Sequence, residues 1–392
     1  MYIQPSSTLK KAHIVGVLEH ICQALELTEP QQRLAQERYE AVGNWLASSS
    51  DPLLRGLTIY PQGSVPLGTT VKPLAQQEHD VDLVGWNGAL PVTTQPSALK
   101  KAIGDRLRQS GHYKDILEEK PRCWRINYAN EFHLDITPSI SNPSCGAGGE
   151  LVPDKPLKCW KPSNPKGYRA WFEKKASMEP TYRVMKSLGS GDMRANVEPF
   201  PTQAPLKGVL RRTIQLAKRH RDVHFAKTDP SLAPISIIIT TLAAKSYAYC
   251  VSSFVFDTEL DLVESIIRFM PLFVDHGHLN GKPQWYVWNE TTQGENFAEK
   301  WNREPKLAGA FRAWQARALS DIQEMIGLAG LDTLNKSLAA SFGEAPVAKA
   351  MGSLTSAVSE VRSAGSLTIR PTVGLAAGAG TVVRTNTFFG AK

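Results

Sequence analysis

Three carboxylates carry most of the chemistry that this sequence offers. Asp80 and Asp82 alternate with aliphatic residues in HDVDLV (79–84), and Asp135 occupies the same kind of position in FHLDITPS (132–139). Because successive side chains of a strand point to opposite faces, Asp80 and Asp82 share one face. Neighbouring carboxylates repel one another unless a divalent cation lies between them. The pair alone fits a solvated edge strand equally well, but a third acid on a neighbouring strand would complete a metal site.

A second feature precedes the acids. Gly63-Ser64 follows the short β-prone run 57–60. Glycine lets the backbone approach a phosphate closely, and the serine hydroxyl with nearby N–H groups can hold its oxygens. The pair alone more often marks a plain turn. Followed by three acids, it indicates two-metal phosphoryl or nucleotidyl transfer.

In this order, Gly63-Ser64, Asp80-x-Asp82 and Asp135 resemble the active-site pattern of polymerase-β-like nucleotidyltransferases. The surrounding text is similar to one branch, the bacterial CD-NTases, which are relatives of cGAS and DncV and make cyclic oligonucleotides in CBASS anti-phage defence. Within the branch it most resembles the clade called G. The resemblance spans most of residues 1–320 and rests on PQGSVPLGTTVKP (61–73), HDVDLV (79–84), FHLDITPS (132–139), LKGVLRRTIQLAKRHRD (206–222), PISIIITTLAA (234–244) and ENFAEKW (295–301).

The resemblance implies roles for the first-lobe residues. Gln62, Gly63 and Ser64 would hold the triphosphate of a nucleotide. Asp80 and Asp82 would ligate two Mg²⁺ ions, with Mn²⁺ as a substitute. Asp135 would ligate one of the ions and assist deprotonation of the acceptor hydroxyl.

Two residues of the second lobe match positions that contact the donor's phosphates in the family. Lys218 shares a helix side with other basic residues, so a solvated basic face is an equally good interpretation. Ser236 could equally cap its helix. Asn289 and Asn296, near ENFAEKW, either shape the nucleotide pocket or have a structural role.

The implied reaction condenses nucleoside triphosphates, ATP or GTP, into a cyclic di- or trinucleotide and releases pyrophosphate. The product would reach its effector protein without direct contact between the two proteins. A linear oligonucleotide synthase or an AMP-transferring enzyme is the alternative, and a non-enzymatic nucleotide or RNA sensor is a third interpretation. An E1/E2-like partner would act on the C-terminal tail, where Gly390-Ala391 fits conjugation and the final Lys392 departs from it.

The pattern of elements predicts an α+β fold with a mixed sheet in a catalytic lobe and a mainly helical second lobe (OAS/cGAS-like). The predicted divisions are a catalytic lobe with N-terminal helices (1–200), a helical lobe (201–342) and a flexible tail rich in Ala, Gly and Ser (343–392). The spacing of apolar residues predicts the positions of the helices and strands. Helices are expected at 8–47 with a break at 28–30, 95–110, from 206, 234–250, 258–273 and 305–328; strands at 57–60, 81–84 and 125–136; and a loop at 142–149.

Composition limits the class of protein. The 392 residues are 42% hydrophobic and 21% charged, which excludes a fully disordered or collagen-like chain. The net charge of +8 is compatible with phosphate-bearing ligands but does not choose among them. The five cysteines form no C-x-x-C pair, and no apolar run reaches the length of a bilayer span. We therefore expect a soluble cytoplasmic protein without membrane contact.

Overall fold

The computed structural model describes most of the chain. The described residues are 7–74, 79–128, 132–154, 156–183, 208–328, 330–370, 374–377 and 381–382. The predicted conjugation site at Gly390-Ala391-Lys392 lies outside them, as do residues 184–207.

Helices and strands alternate in the first half of the described chain, and helices dominate the second half. The helices are α1 (Ser7–Leu25), α2 (Glu29–Ala47), α3 (Ser64–Leu67), α4 (Pro96–Arg108), α5 (Pro165–Ala176), α6 (Val209–Ala226), α7 (Ser236–Ser253), α8 (Glu259–Phe269), α9 (Glu299–Arg303), α10 (Lys306–Gly327), α11 (Leu331–Phe342) and α12 (Glu344–Ser363). The strands are β1 (Thr58–Pro61), β2 (His79–Asn87), β3 (Leu117–Glu119), β4 (Trp124–Tyr128), β5 (Phe132–Ser141), β6 (Glu150–Pro153), β7 (Trp160–Ser163), β8 (Thr181–Tyr182), β9 (Val255–Phe256), β10 (Asp275–Leu279), β11 (Lys282–Tyr286), β12 (Leu367–Arg370), β13 (Gly374–Ala377) and β14 (Thr381–Val382).

A mixed sheet carries the three acids. Its strands run in the order β1-β2-β5-β4-β3, with β6 and β7 continuing from β5. Strands β2 and β5 are parallel, whereas the other neighbouring pairs in this sheet are antiparallel. The predicted strand over 125–136 is in fact two strands, since β4 ends at Tyr128 and β5 begins at Phe132. The expected α+β class with a mixed sheet is confirmed.

Two hydrophobic cores hold the described residues together. One lies beside the sheet, where alternating residues of β4 and β5 pack against α2 and α4 through side chains such as Ile136 and Ile103, both fully buried. The other is helical and brings α6, α7, α8 and α10 together around residues such as Trp314. The acidic face of the sheet is therefore supported from behind by one core and bounded by helices that belong to the other.

The packing differs from the predicted divisions in two places. Helix α1 falls in the predicted catalytic lobe, but its apolar residues, such as Ile21, are part of the helical core. The predicted flexible tail is also wrong for its first part, because 344–363 form α12. Val347 and Ala350 of this helix are 1% exposed in the same core, since they recur at helical spacing within the Ala- and Ser-rich text.

Among the described residues, no helix combines the length and apolarity that crossing a membrane requires.

Candidate active site

The three predicted carboxylates lie on adjacent strands and on one face of the sheet. The parallel register of β2 and β5 pairs Asp82 with Asp135 and Asp80 with His133. Aligned residues of parallel neighbours point the same way, and Asp80 is two residues from Asp82, so all three carboxylates share that face. The opposite faces of both strands carry buried aliphatic residues, for example Leu83 and Leu134. The apolar alternation of the sequence thus determines where the acids point.

Arg125 is the countercharge to this cluster, and the sequence reasoning missed it. Arg125 lies on β4 directly opposite Asp135. Its Nε and Nη2 donate to the two carboxylate oxygens of Asp135, both at 2.7 Å. Nη2 also lies 3.1 Å from Asp80 Oδ1. The guanidinium therefore bridges two of the three acids.

The third acid, Asp82, has a strongly raised pKa. Burial, and then the negative charges of Asp135 and Asp80, raise its pKa from 3.8 to about 6, against a smaller opposing influence of Arg125 and Lys218. A group that is this costly to ionise indicates a position where an additional cation would be stabilising.

Gly63 lies directly against Asp82. Its backbone has φ 70° and ψ −138°, a conformation that is strained for any residue with a Cβ. A Cβ at this position would be 2.8 Å from Asp82 Oδ2, and the Gln62 N–H donates to the Asp82 carbonyl at 2.8 Å. The Gly63-Ser64 turn therefore lies against the carboxylate cluster.

Helix α6 fixes the segment that follows this turn. Its side chains donate to successive backbone carbonyls: Arg211 to Leu67, Gln215 to Thr70, Lys218 to Thr69 and Arg219 to Lys72. The distances are 3.0 to 3.3 Å. The interpretation of a solvated basic face is therefore wrong: this side of α6 binds the backbone of 67–72 through hydrogen bonds.

Lys218 is one of the buried side chains of α6 that bind this segment. It is 5% exposed, and its Nζ donates to both Thr69 oxygens at 3.1 Å. Burial, with a smaller contribution from Arg221, lowers its pKa to about 7, and Asp82 is close enough to oppose that shift. Within the described chain no carboxylate forms an ion pair with it, so Lys218 is a buried amine that Thr69 holds and whose charge interacts with Asp82.

Ser236 and the two asparagines have simpler surroundings. Ser236 is the first residue of α7, after its N-cap Ile235, so the alternative that it caps the helix is wrong. It is exposed and accepts a hydrogen bond from Arg221 Nη1 at 3.1 Å. Asn296 binds the backbone of Trp285, Val287 and Ala298 and is structural.

A cleft of about 480 Å³ opens beside the Gly63 turn. It lies between the edge of the sheet and α5, α7 and the 289–297 segment, and it is large enough for a nucleotide. Asn289 lines it, whereas Lys218 and Ser236 do not. The lining residues are Tyr60, Pro61, Gln62, Gly63, Pro66, Leu67, Ser163, Asn164, Pro165, Lys166, Tyr168, Arg169, Ile237, Asn289, Glu295 and Phe297.

Tyr60 forms one wall of the cleft and is held from behind. Its hydroxyl donates to Glu150, a carboxylate that is 3% exposed, and Ser139 donates to the other oxygen of Glu150 at 2.6 Å. The Lys166 ammonium lies over the Tyr60 ring, 4.3 Å from its centroid. The wall beside the Gly63 turn is therefore rigid and positively charged at its surface.

The donor set fits divalent metal ions such as Mg²⁺. It consists of hard oxygen ligands, carries three carboxylates against one contacting guanidinium, and includes an acid whose pKa is raised by burial and then by the other two acids. As placed, no three acidic, thiol or imidazole groups of the described residues already surround a metal position, and Arg125 contacts both Asp80 and Asp135. A cation ligated by both Asp80 and Asp135 would have to displace this guanidinium.

Part of the site could not be read from sequence. Arg125 alternates with buried Trp124 and Ile126, a pattern that would have placed it on the acidic face had β4 been separated from β5. Glu295 and Tyr60 join the cleft through tertiary packing, for which we find no signal in the sequence.

The comparisons with known proteins agree with this geometry. Residues 14–176 match the family described as SMODS, the Second Messenger Oligonucleotide or Dinucleotide Synthetase domain. The c-di-GMP synthase of Roseivirga ehrenbergii is 30% identical over 91% of this chain and 91% of its own. The cyclic dinucleotide synthase CdnG of Bradyrhizobium diazoefficiens is 28% identical over 57% of this chain and 56% of its own. A solved structure of the Bradyrhizobium CdnG in complex with GTP superposes with a TM-score of 0.63 at 22% identity, covering 87% of this chain and 98% of that one.

A mixed sheet with acids on neighbouring strands, a glycine turn against one of them and a helical second lobe together define a nucleotidyltransferase. The resemblance read from the sequence motifs is thereby confirmed, since the Roseivirga relative matches almost the whole chain. The chain belongs to the CD-NTases of the CBASS type, a family of cyclic oligonucleotide synthases that use nucleoside triphosphates. Membership of clade G within that family stays a prediction.

Proposed function

We propose that this protein condenses nucleoside triphosphates, GTP among them, into a cyclic dinucleotide or trinucleotide in a reaction that depends on two Mg²⁺ ions. The observation that carries the proposal is the side-by-side placement of Asp82 and Asp135, with Gly63 against Asp82 and a nucleotide-sized cleft beginning at the same glycine. Family membership supports divalent metal use in general; the number and kind of ions rest on the donor set. Mn²⁺ would serve as a substitute.

In the proposed mechanism, the chain's residues mainly align and neutralise charge. Gln62, Gly63 and Ser64 hold the donor's triphosphate beside Asp82. A ribose hydroxyl forms a bond to the α-phosphorus while the bond to pyrophosphate breaks. Asp135, on the strand beside Asp82, takes up the hydroxyl proton. Bound Mg²⁺ would lower the pKa of that hydroxyl and neutralise the leaving pyrophosphate.

The charges around the acids must rearrange when substrate binds. Arg125 has to leave Asp80 and Asp135 if both are to ligate metal, and its guanidinium then becomes free to pair with a phosphate. Lys218, which Thr69 holds and whose charge interacts with Asp82, would take up a proton when the triphosphate binds and so give a second positive charge. Ser236 lies beside Arg221 at the start of α7, from where it would contact the outer phosphates.

A second round of the same chemistry closes the ring. The linear product keeps a terminal triphosphate and a free ribose hydroxyl, so its re-entry presents the same reacting groups to the same carboxylates. The effector protein would then be reached through the diffusing product. We also propose that an E1/E2-like partner acts on the C-terminal tail, which intact mass measurement of co-expressed protein would test.

The test is a product analysis with matched variants. The protein is incubated with all four labelled triphosphates and Mg²⁺, and the products are treated with phosphatase before mass spectrometry. We expect pyrophosphate release and a phosphatase-resistant product. The double variant Asp80→Asn with Asp82→Asn should lose both, whereas Asp105→Asn, a half-exposed acid on α4, should keep both.

Other outcomes would identify the competing functions. A product that phosphatase degrades would indicate a linear synthase, and labelled RNA or protein would indicate transfer of AMP. Nucleotide binding without pyrophosphate release would indicate a sensor. The three mutually repelling acids argue against a sensor, because a site without turnover gains nothing from their cost.

A further inference from the structure

A single acidic side chain stands among the described residues that line the cleft. It is Glu295, and it has as neighbours in the lining Tyr168, Phe297 and Ile237. The Tyr168 and Phe297 rings meet edge to face, with centroids 5.9 Å apart. Flat, apolar walls of this kind suit a nucleobase, but a carboxylate among them is costly unless it receives hydrogen bonds.

Glu295 is only half satisfied by the protein. Asn289 Nδ2 donates to Glu295 Oε2 at 2.7 Å, and the Asn289 N–H donates to the Glu295 carbonyl at 3.0 Å. Within the described chain, Glu295 Oε1 receives no hydrogen bond. Burial raises the pKa of this carboxyl, and the Asn289 contact offsets only part of that cost.

The orientation of Asn289 is fixed by a third residue. Its Oδ1 accepts from both the N–H and the hydroxyl of Thr291, at 3.0 and 2.7 Å. Its amide nitrogen must therefore point to Glu295, which locks one carboxylate oxygen and leaves the other presented to the cleft. The arrangement is a positioned hydrogen-bond acceptor rather than a mobile surface acid.

The nucleobases differ in how they match a positioned carboxylate. Guanine presents two adjacent donors on one edge, the N1–H and the N2 amino group, which a carboxylate accepts as a pair. Adenine presents an acceptor, N1, at the place of the first donor, and its lone pair would face a negative charge. Uracil offers one donor, the N3–H, and cytosine presents the N3 acceptor. Guanine therefore matches Glu295, and adenine is disfavoured.

We propose that Glu295 selects guanine by accepting from its N1–H and N2 amino group, so that this cleft takes GTP in preference to ATP. Asn289 is then a positioning residue that acts through Glu295. The inference rests on the proposed function, since it assigns the base that the same cleft receives.

The test compares purine triphosphates on the full chain. Binding of α,β-methylene analogues of GTP, ITP and ATP is measured by calorimetry with Mg²⁺, so that no condensation occurs. ITP keeps the N1–H but lacks the 2-amino group. The wild-type order should be GTP, then ITP, then ATP. Glu295→Gln loses the charge-assisted hydrogen bonds. This variant should therefore bind the GTP analogue about 10- to 100-fold more weakly, and its affinities for the GTP and ITP analogues should be nearly equal.

A matched control is available four residues along the chain. Glu299→Gln removes an exposed carboxylate that pairs with Lys161 and Arg303 and does not line the cleft, so its nucleotide preference should equal that of the wild type. If Glu295→Gln fails to fold, Glu295→Asp keeps the charge but withdraws it by one methylene, and should likewise weaken GTP relative to ATP.

The outcomes separate this inference from the proposed function. A Glu295→Gln protein that binds all three analogues with the wild-type order and affinities overturns the guanine assignment while the synthase proposal stands. If the wild type itself binds no triphosphate, both are overturned.

Discussion

Replacing Asp82 by asparagine should stabilise the protein in the absence of divalent cations and abolish its activity. Raising the pKa of Asp82 from 3.8 to about 6 means that the folded state, between those pH values, holds a proton that the unfolded state releases. Stability therefore falls as the pH rises through this window, and above it the ionised carboxylate is a constant cost. At about 1.4 kcal/mol for each tenfold change, the full shift corresponds to about 3 kcal/mol.

The asparagine variant is isosteric and cannot ionise, so it is relieved of this cost. Because the Asp82 side chain keeps some contact with solvent, we expect a gain of about 1–3 kcal/mol at pH 7.5 in a chelating buffer. The measurement is urea unfolding followed by circular dichroism, repeated at pH 5, where the difference should shrink. Asp80→Asn is the control: its carboxylate is 58% exposed, so the relief from desolvation should be much smaller.

Divalent cations should reverse the order of stability, so that wild type becomes more stable than Asp82→Asn. Binding to the folded state alone stabilises it, by about 2.7 kcal/mol at a concentration 100 times Kd. Wild type should gain this stability with Mg²⁺ or Mn²⁺, and Asp82→Asn should gain little. A variant that is less stable than wild type without cations, or one that Mg²⁺ stabilises as much as wild type, would refute the reasoning.

Three further predictions follow from the same site. Gly63→Ala should cost about 1–3 kcal/mol in urea unfolding through its strained backbone and abolish synthesis, because its Cβ would press on the adjacent carboxylate; Gly111→Ala, which has open space around its Cα, should do neither. Lys218 should take up a proton when triphosphate binds near pH 8, because a polyanion raises its depressed pKa. Calorimetry in buffers of different ionisation enthalpy would detect the uptake, and Lys218→Met should abolish it. Arg125→Gln should bind Mn²⁺ more tightly than wild type in a paramagnetic titration, since no guanidinium then competes for Asp135; weaker binding would contradict the displacement.

The sequence predicts the acidic face well for a simple physical reason. Strand alternation is a local property, so the positions of Asp80, Asp82 and Asp135 on one face depend only on their own strands and on the pairing of β2 with β5. Gly63 is predictable in the same way, because its backbone has a positive φ, a conformation that favours glycine over other residues.

Other parts of the site depend on contacts between distant segments. The basic side of α6 looks like a solvated face in the sequence, but its partners are backbone carbonyls of 67–72, which no residue type signals. Glu295 enters the cleft because Asn289 and Thr291 hold it there. Helix α12 has few apolar residues in an Ala-rich sequence. It is stabilised because Val347 and Ala350 pack into the helical core.

The hydrogen bonds from α6 to the carbonyls of 67–72 have a consequence for how this enzyme can be rebuilt. Every residue has a carbonyl, so apart from Thr69, whose hydroxyl also accepts from Lys218, these bonds do not depend on which amino acids follow the glycine turn, and their path is set by a helix some 140 positions away. Chimeras that exchange nucleotide-handling turns between relatives should therefore work when α6 travels with the turn. Grafts that transfer the turn alone and keep the host's own α6 should misplace the turn relative to the acids, even where the donor and host turns are identical in length.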